Sequence, residues 1–275
     1  MIVCKFGGTS LANAETIGLV KQIISLDADR RYIVVSAPGR RNPADSKVTD
    51  MLISLKNDFD KGRDVSDGID ALCTRFQDIA QKFGIDFDAA REFEKIYNAL
   101  TLGASDDYVK SRGEYLSAKL LSKILGVPFV DAADLVKFGT DGVDYETTLA
   151  NISNALKAFD RAVLPGFYGS DKDGQIVTFS RGGSDVSGAL VAAAVKADVY
   201  ENWTDVDGVF SADPRKDSTA RLIDRLTYDE MYALALSGAN VLHKDAVYPA
   251  ERAGVPINIK NTFNRYATGT WIMKE

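Results

Sequence analysis

The stretch Thr178–Arg215, TFSRGGSDVSGALVAAAVKADVYENWTDVDGVFSADPR, decides how the rest of the chain reads. A β-like run at 175–179 leads into Ser180-Arg181-Gly182-Gly183-Ser184-Asp185. A helix of small residues is expected over 186–196 and a second strand over 198–203, followed by a polar loop from Thr204 to Arg215. Strand, glycine turn, helix and strand make a βαβ unit, which predicts an α/β fold with a parallel strand pair covered by a helix. Both polar loops leave the C-terminal ends of strands, where open α/β sheets bind ligands.

The residues of that first loop suggest an anion. Gly182 and Gly183 let backbone approach a ligand, and the unpaired N–H groups at a helix start favour negative charge. Arg181 could fork a carboxylate or phosphate. Asp185 suits such a site only if it holds a cation or a lysine. The plainer alternative is that Ser184 or Asp185 caps the helix.

Working outward, a second βαβ unit is expected at the N-terminus. A strand ends in Gly7-Gly8-Thr9-Ser10, a helix follows over about 13–26, and Tyr32–Val35 forms a strand ending in Ser36-Ala37-Pro38-Gly39. Lys5 stands within the first, otherwise apolar strand. It either carries an edge charge or reaches a bound anion, and the adjoining glycines favour the anion. Neither G-x-x-x-x-G-K-[ST] nor G-x-G-x-x-G occurs. Thr49 or Asp50 could cap a helix starting near Val48. Residues 56–110 read as charged helices with apolar stripes. Gly113-Glu114 is placed at the head of a helix, where the acid could favour the dipole or face an ammonium group. Further strands are expected at 127–131 and 162–164, a hairpin turn at Asp173-Gly174, a helix over 229–237 closed by Gly238, and a final strand at 255–261.

Composition narrows the class. With 33 basic and 39 acidic residues the net charge is −6, and no basic stripe suggests nucleic acid. Cys4 and Cys73 lack CxxC spacing, so a reducing compartment is expected. The single histidine, His243, argues against a multi-histidine metal site. No apolar run reaches membrane-spanning length, so no membrane partner and a cytoplasmic location are expected.

Seven segments together resemble the aspartokinase family: KFGGTS at 5–10, VVSAPG at 34–39, Gly113-Glu114, PGFYGS at 165–170, SRGGSD at 180–185, WTDVDGVFSADPR at 203–215, and GANVLH followed by IKNTFN. The resemblance implies the amino-acid-kinase fold, a three-layer α-β-α sandwich around a mainly parallel eight-stranded sheet. Residues 1–164 would form a lobe for the amino acid and 165–275 a lobe for the nucleotide.

It also implies roles. Lys5 and Asp185 would be catalytic, the lysine neutralising the transferred phosphoryl group and the aspartate organising it. Thr49, Glu114, Arg181 and Ser184 would bind substrate, with Glu114 meeting its ammonium. Gly7, Gly8, Thr9, Ser10, Ser36, Thr204, Asp205, Phe210 and Arg215 would bind nucleotide. The implied reaction is phosphorylation of L-aspartate on its side-chain carboxylate by ATP, towards lysine, threonine and methionine, with Mg²⁺ bridging phosphates and no dedicated protein metal site. The alternatives are another amino-acid kinase, for glutamate or a related substrate, and a non-catalytic regulatory homologue. A homodimer is the assembly allowed for. Asn240 stands where many relatives carry lysine, and Lys244 follows His243 in place of proline, so an ATP-phosphate contact there is in question. The resemblance gives no regulatory ACT domain within 1–275, and no feedback inhibition by lysine or threonine through this chain is expected.

Overall fold

A run buried from Val3 to Phe6 opens the chain. Ile2–Phe6 forms β1, with Cys4 and Phe6 facing one side of a sheet and Val3 and Lys5 the other. The computed structural model describes every residue except 181, 213–216, 218 and 237–241. After β1 a 3₁₀ turn at Gly8–Leu11 leads to α1, Ala14–Ser25. Asn13 and Thr16 close its first turn as a capping box, and Ile17, Val20, Ile23 and Ile24 form its buried stripe. Next, β2 (Arg30–Val35) pairs parallel with β1, so the N-terminal βαβ unit is present as expected.

Four helices follow: α2 (Val48–Asp60), α3 (Ser66–Phe83), α4 (Ala89–Thr101) and α5 (Asp106–Leu125). After the short α6 (Ala132–Leu135) and a minimal hairpin of β3 (Phe138–Gly139) and β4 (Gly142–Val143) come α7 (Tyr145–Leu156) and β5 (Ala162–Pro165). A second hairpin joins β6 (Tyr168–Ser170) to β7 (Ile176–Thr178), ahead of α8 (Gly183–Val195) and β8 (Val199–Thr204). The last elements are β9 (Arg225–Thr227), α9 (Tyr228–Leu236), α10 (Lys244–Ala253), β10 (Ile257–Asn261) and β11 (Thr270–Met273).

The main sheet has the order β5-β2-β1-β8-β10-β11-β9, and every pair is parallel except β10 with β11. One face packs on α1 to α5, the other on α7 to α10, giving three layers. Strands covered on both sides read as continuous apolar runs: Ile33, Val34 and Val35 are all fully buried. Each such side chain contributes about 1.5–3 kcal/mol by leaving water.

Five expectations need correction. Among the described residues the sheet holds seven strands, not eight. The segment expected as a strand at 127–131 adds only a single parallel bridge, Phe129 to Val163, because Pro128 has no N–H to extend the ladder. The run at 175–179 is not a partner of β8: β7 pairs antiparallel with β6, and α8 links that hairpin to the sheet. Gly113-Glu114 lies well inside α5 rather than at its head, since Ser105 is the N-cap. Finally, β10 is not the last strand. The β-prone run Thr-Trp-Ile-Met after Gly269 forms β11.

Beneath the sheet's α1 face lies a buried polar group. The Glu201 carboxylate receives Arg30 Nε at 2.7 Å, Arg30 Nη2 at 3.0 Å and Trp203 Nε1 at 2.9 Å. The Arg30 guanidinium and the Lys260 ammonium both lie over the Trp203 ring, at 5.4 and 5.3 Å from its centroid. Gly238, expected to close α9, lies outside the described residues.

Candidate active site

The C-terminal ends of β1, β2, β5 and β8 meet in one place, and the strand pleat decides which side chains face it. On β8, Tyr200 and Asn202 point to the α8 face while Glu201 and Trp203 point away. Lys5 therefore meets the start of α8, with its Nζ 2.6 Å from Asp185 Oδ1. Asn202 Nδ2 donates to that same oxygen at 2.9 Å, and the Tyr200 hydroxyl donates to the Asp185 carbonyl at 3.0 Å. The pair is withdrawn from water, with side-chain exposures of 9% for Lys5 and 17% for Asp185. This is the cation that Asp185 was expected to need.

The two N-terminal glycine loops pack backbone against backbone. Gly39 N–H donates to the Gly8 carbonyl at 2.7 Å, Ser36 N–H to the Phe6 carbonyl at 3.1 Å, and Gly7 N–H to the Trp203 carbonyl at 3.0 Å. A Cβ on Gly8 would sit 2.9 Å from the Ala37 carbonyl oxygen, and one on Gly39 would sit 2.6 Å from the Gly8 carbonyl carbon. Only glycines permit that approach. The Thr9 hydroxyl donates to Asp205 Oδ2 at 3.1 Å, tying this loop to the one after β8. Ser10 is fully buried and shares a 2.8 Å hydrogen bond with the Thr262 hydroxyl, so it anchors the loop from within.

Against these loops lies a cavity of about 440 Å³ lined by Gly8, Thr9, Ser36, Lys47, Thr49 and Glu114 among others. Glu114 is buried and its Oε2 has no hydrogen-bond partner. Burial raises its pKa to about 8, against the Ala37 N–H and the charges of Lys5 and Arg112, which pull it down. Gly113 makes this possible: a Cβ there would be 2.7 Å from the Ala37 Cβ, so α5 could not lie so close to the β2 loop. Thr49 sits in the first turn of α2. Neither Thr49 nor Asp50 is the cap, because Lys47 occupies the N-cap position without a side-chain hydrogen bond.

The SRGGSD turn differs in detail from expectation. Gly182 takes the left-handed N-cap conformation at φ 59°, so neither Ser184 nor Asp185 caps α8. A side chain on Gly182 would collide with His243 Cβ. Ser184 is buried against Gly166, where a Cβ would come within 2.7 Å of Ser184 Cα. Thr204 ends β8 beside Asp205, and Phe210 forms an isolated antiparallel bridge with Leu222. Arg181, Arg215 and Asn240 lie outside the described residues.

Three contributors escaped the sequence reading. Asn202 and Tyr200 hold Asp185, and Lys47 lines the cavity. An asparagine within the otherwise β-prone run VYENWT was the available signal for Asn202, since a buried amide needs a partner. Nothing local marks Lys47.

Comparison with known proteins adds an independent line. The profile of the amino acid kinase family matches residues 1–261. Aspartokinase 3 of Bacillus subtilis is 36% identical over 293 residues, covering 100% of this chain and 64% of the relative. The crystal structure of Clostridium acetobutylicum aspartate kinase superposes with a TM-score of 0.95 at 42% identity, covering 100% of this chain and 63% of that one. Escherichia coli aspartokinase III, solved with aspartate and ADP, gives a TM-score of 0.86 at 26% identity over 65% of its length. The chain thus spans a little under two thirds of the length of these relatives.

Proposed function

The chain belongs to the amino acid kinase family, and we propose that it carries aspartate kinase activity, passing the γ-phosphoryl group of ATP to the side-chain carboxylate of L-aspartate. The observation that carries this reading is Glu114. Its carboxylate is buried, has an oxygen without a partner, and opens into the same cavity as the glycine loops. A buried acid in that condition calls for a cationic group, and the ammonium of a free amino acid supplies one. Kinases of N-acylated substrates or nucleoside monophosphates would leave it unpaired.

The remaining roles follow from charge. Phosphoryl transfer depends on in-line positioning and on neutralising spread negative charge, with little covalent work for the protein. Lys5, oriented by Asp185 and Asn202, is the cation for the phosphoryl oxygens. Gly7, Gly8 and Thr9 let the phosphates approach backbone, Ser36 is assigned to the nucleotide, and Thr49 offers a hydroxyl beside the acceptor. Arg181 and Ser184 are assigned to the substrate carboxylate. Thr204, Asp205, Phe210 and Arg215 are assigned to the nucleotide loop. The acceptor carboxylate is ionised at neutral pH, so no general base is required. Mg²⁺ is part of the nucleotide substrate. On this reading it is held through phosphates and water.

On this reading residues 1–164 supply the amino-acid side and 165–275 the nucleotide side. No described helix is long and apolar enough to cross a membrane, and a cytoplasmic location is proposed with the rest. The test is hydroxylamine trapping with Mg-ATP and L-aspartate, run beside L-glutamate. Hydroxamate from aspartate alone is the expected result. Product from glutamate alone, or none in a chain that binds ATP, would overturn the assignment.

A further inference from the structure

A second cavity, of about 420 Å³, opens between the start of α1 and the C-terminal half of α3. Arg75 forms part of its wall and is only 2% exposed, yet its Nε is buried with no hydrogen-bond partner. The other guanidinium nitrogens are engaged. Nη1 donates to the Ser46 carbonyl at 2.7 Å and lies 3.2 Å from Asp45, and Nη2 donates to the Gly39 carbonyl. The first turn of α1 lines the same cavity. Its capping box occupies Thr16 N–H, which leaves the N–H groups of Ala14 and Glu15 without an intrahelical acceptor. Both residues line the cavity, together with Arg41, Asp78 and Lys82.

We propose that this cavity is a second binding site, for a small oxyanion of the carboxylate or phosphate class, held by Arg75 Nε, the Ala14 and Glu15 N–H groups and Lys82. Three observations converge. A buried guanidinium nitrogen lacks an acceptor, an uncapped pair of helix N–H groups shares its cavity, and the dipole of α1 is positive at that end. Burial, with the like charge of Arg41, depresses the pKa of Arg75 despite Asp45 beside it. Asp45 pairs with both Arg41 and Arg75, and Glu15 and Asp78 line the cavity with Lys82, so three carboxylates balance three cations, a balance that suits a ligand of low charge and disfavours a polyphosphate.

The site is wired to the first cavity. Arg75 ties the carbonyls of Gly39 and Ser46, and the loop between them supplies Arg40, Asn42 and Pro43 to the wall of that cavity. An occupant that fixes Arg75 would fix this loop as well.

The test is titration calorimetry of the whole chain with inorganic phosphate and, separately, with acetate. Saturable one-to-one binding of at least one anion is expected. Lys82→Ala and Ala14→Pro should each weaken it about tenfold, as for loss of one charge-assisted contact. Both variants should fold normally, because Lys82 is exposed and proline suits the first helical position. Preference for phosphate or for acetate identifies the ligand class and supports the site either way. No saturable binding of either anion, or binding that both substitutions leave unchanged, overturns the proposal. Binding at the glycine loops would show that second pattern, so failure here is separable from failure of the kinase assignment.

Discussion

Lys5 Nζ and Asp185 Oδ1 are 2.6 Å apart, joining the C-terminal half of β1 to the first turn of α8 across 180 residues of sequence. The lysine is neither a snorkelling edge charge nor free. It is aimed past Gly7, where a Cβ would lie 3.6 Å from its Nζ, and Asn202 fixes the carboxylate that holds it.

Lys5→Met should therefore fold and yet lower kcat by at least ~100-fold, as for loss of one preorganised charge donor. Steady-state kinetics with aspartate and Mg-ATP, with circular dichroism as control, would check this. A near-normal kcat would remove Lys5 from the chemistry.

Glu114 makes stability depend on pH in a definite direction. Its folded pKa of about 8 lies above the ordinary glutamate value of 4.5. Below about pH 4.5 both states are protonated, and the full benefit of the neutral buried acid is present. As pH rises from 4.5 through 8 the unfolded chain ionises first, so wild-type stability falls across that window. Glu114→Gln lacks this loss. Its Tm should exceed that of wild type by about 5 °C at pH 8, with the gap closing towards pH 4.5, while its KM for aspartate rises sharply. Equal Tm values at both pH values would mean the carboxylate is solvated.

Gly113→Ala tests the close approach of α5 to the β2 loop. The added methyl meets Ala37 Cβ at 2.7 Å, and relieving it must displace a packed helix, at a cost of about 1–3 kcal/mol. Urea denaturation should show that loss, together with a raised KM for the amino acid and a smaller change for ATP. A variant as stable as wild type would imply that the loop yields freely.

Arg30→Met probes the polar group under the opposite face. It strands the Glu201 carboxylate, only 8% exposed at its side chain, and should destabilise the chain by about 3–5 kcal/mol. Adding Glu201→Gln should recover part of that loss, because the orphaned charge is gone. Chemical denaturation of the two variants would decide it, and no recovery would mean that the cost lies in lost packing.

The parts of this molecule legible in the sequence are those where local chemistry is unusual. Glycine pairs beside a lysine or an aspartate marked the loops, and apolar runs marked β1, β2 and β8. What was not legible depends on partners distant in the chain. The hairpin turn at Asp173-Gly174 was legible, but not that it leaves the run before the SRGGSD turn paired only with β6 instead of placed beside β8. Gly113-Glu114 resembled a helix start because glycine interrupts the pattern there. Packing against Ala37 overrides its low helical propensity and carries α5 through it. Asn202 acquires meaning only when Asp185 is seen above it.

Strand β8 carries a consequence for assembly. Its alternate residues serve two polar groups of different composition, Asn202 with the Lys5–Asp185 pair on one face and Glu201 with Arg30 on the other. A slip of one position against β1 would exchange the faces. It would bury the Glu201 charge on the α8 side, away from Arg30, and leave that guanidinium facing an amide. Each face thus proofreads the other, and the alignment that completes the sheet is the one that delivers Lys5 to the head of α8.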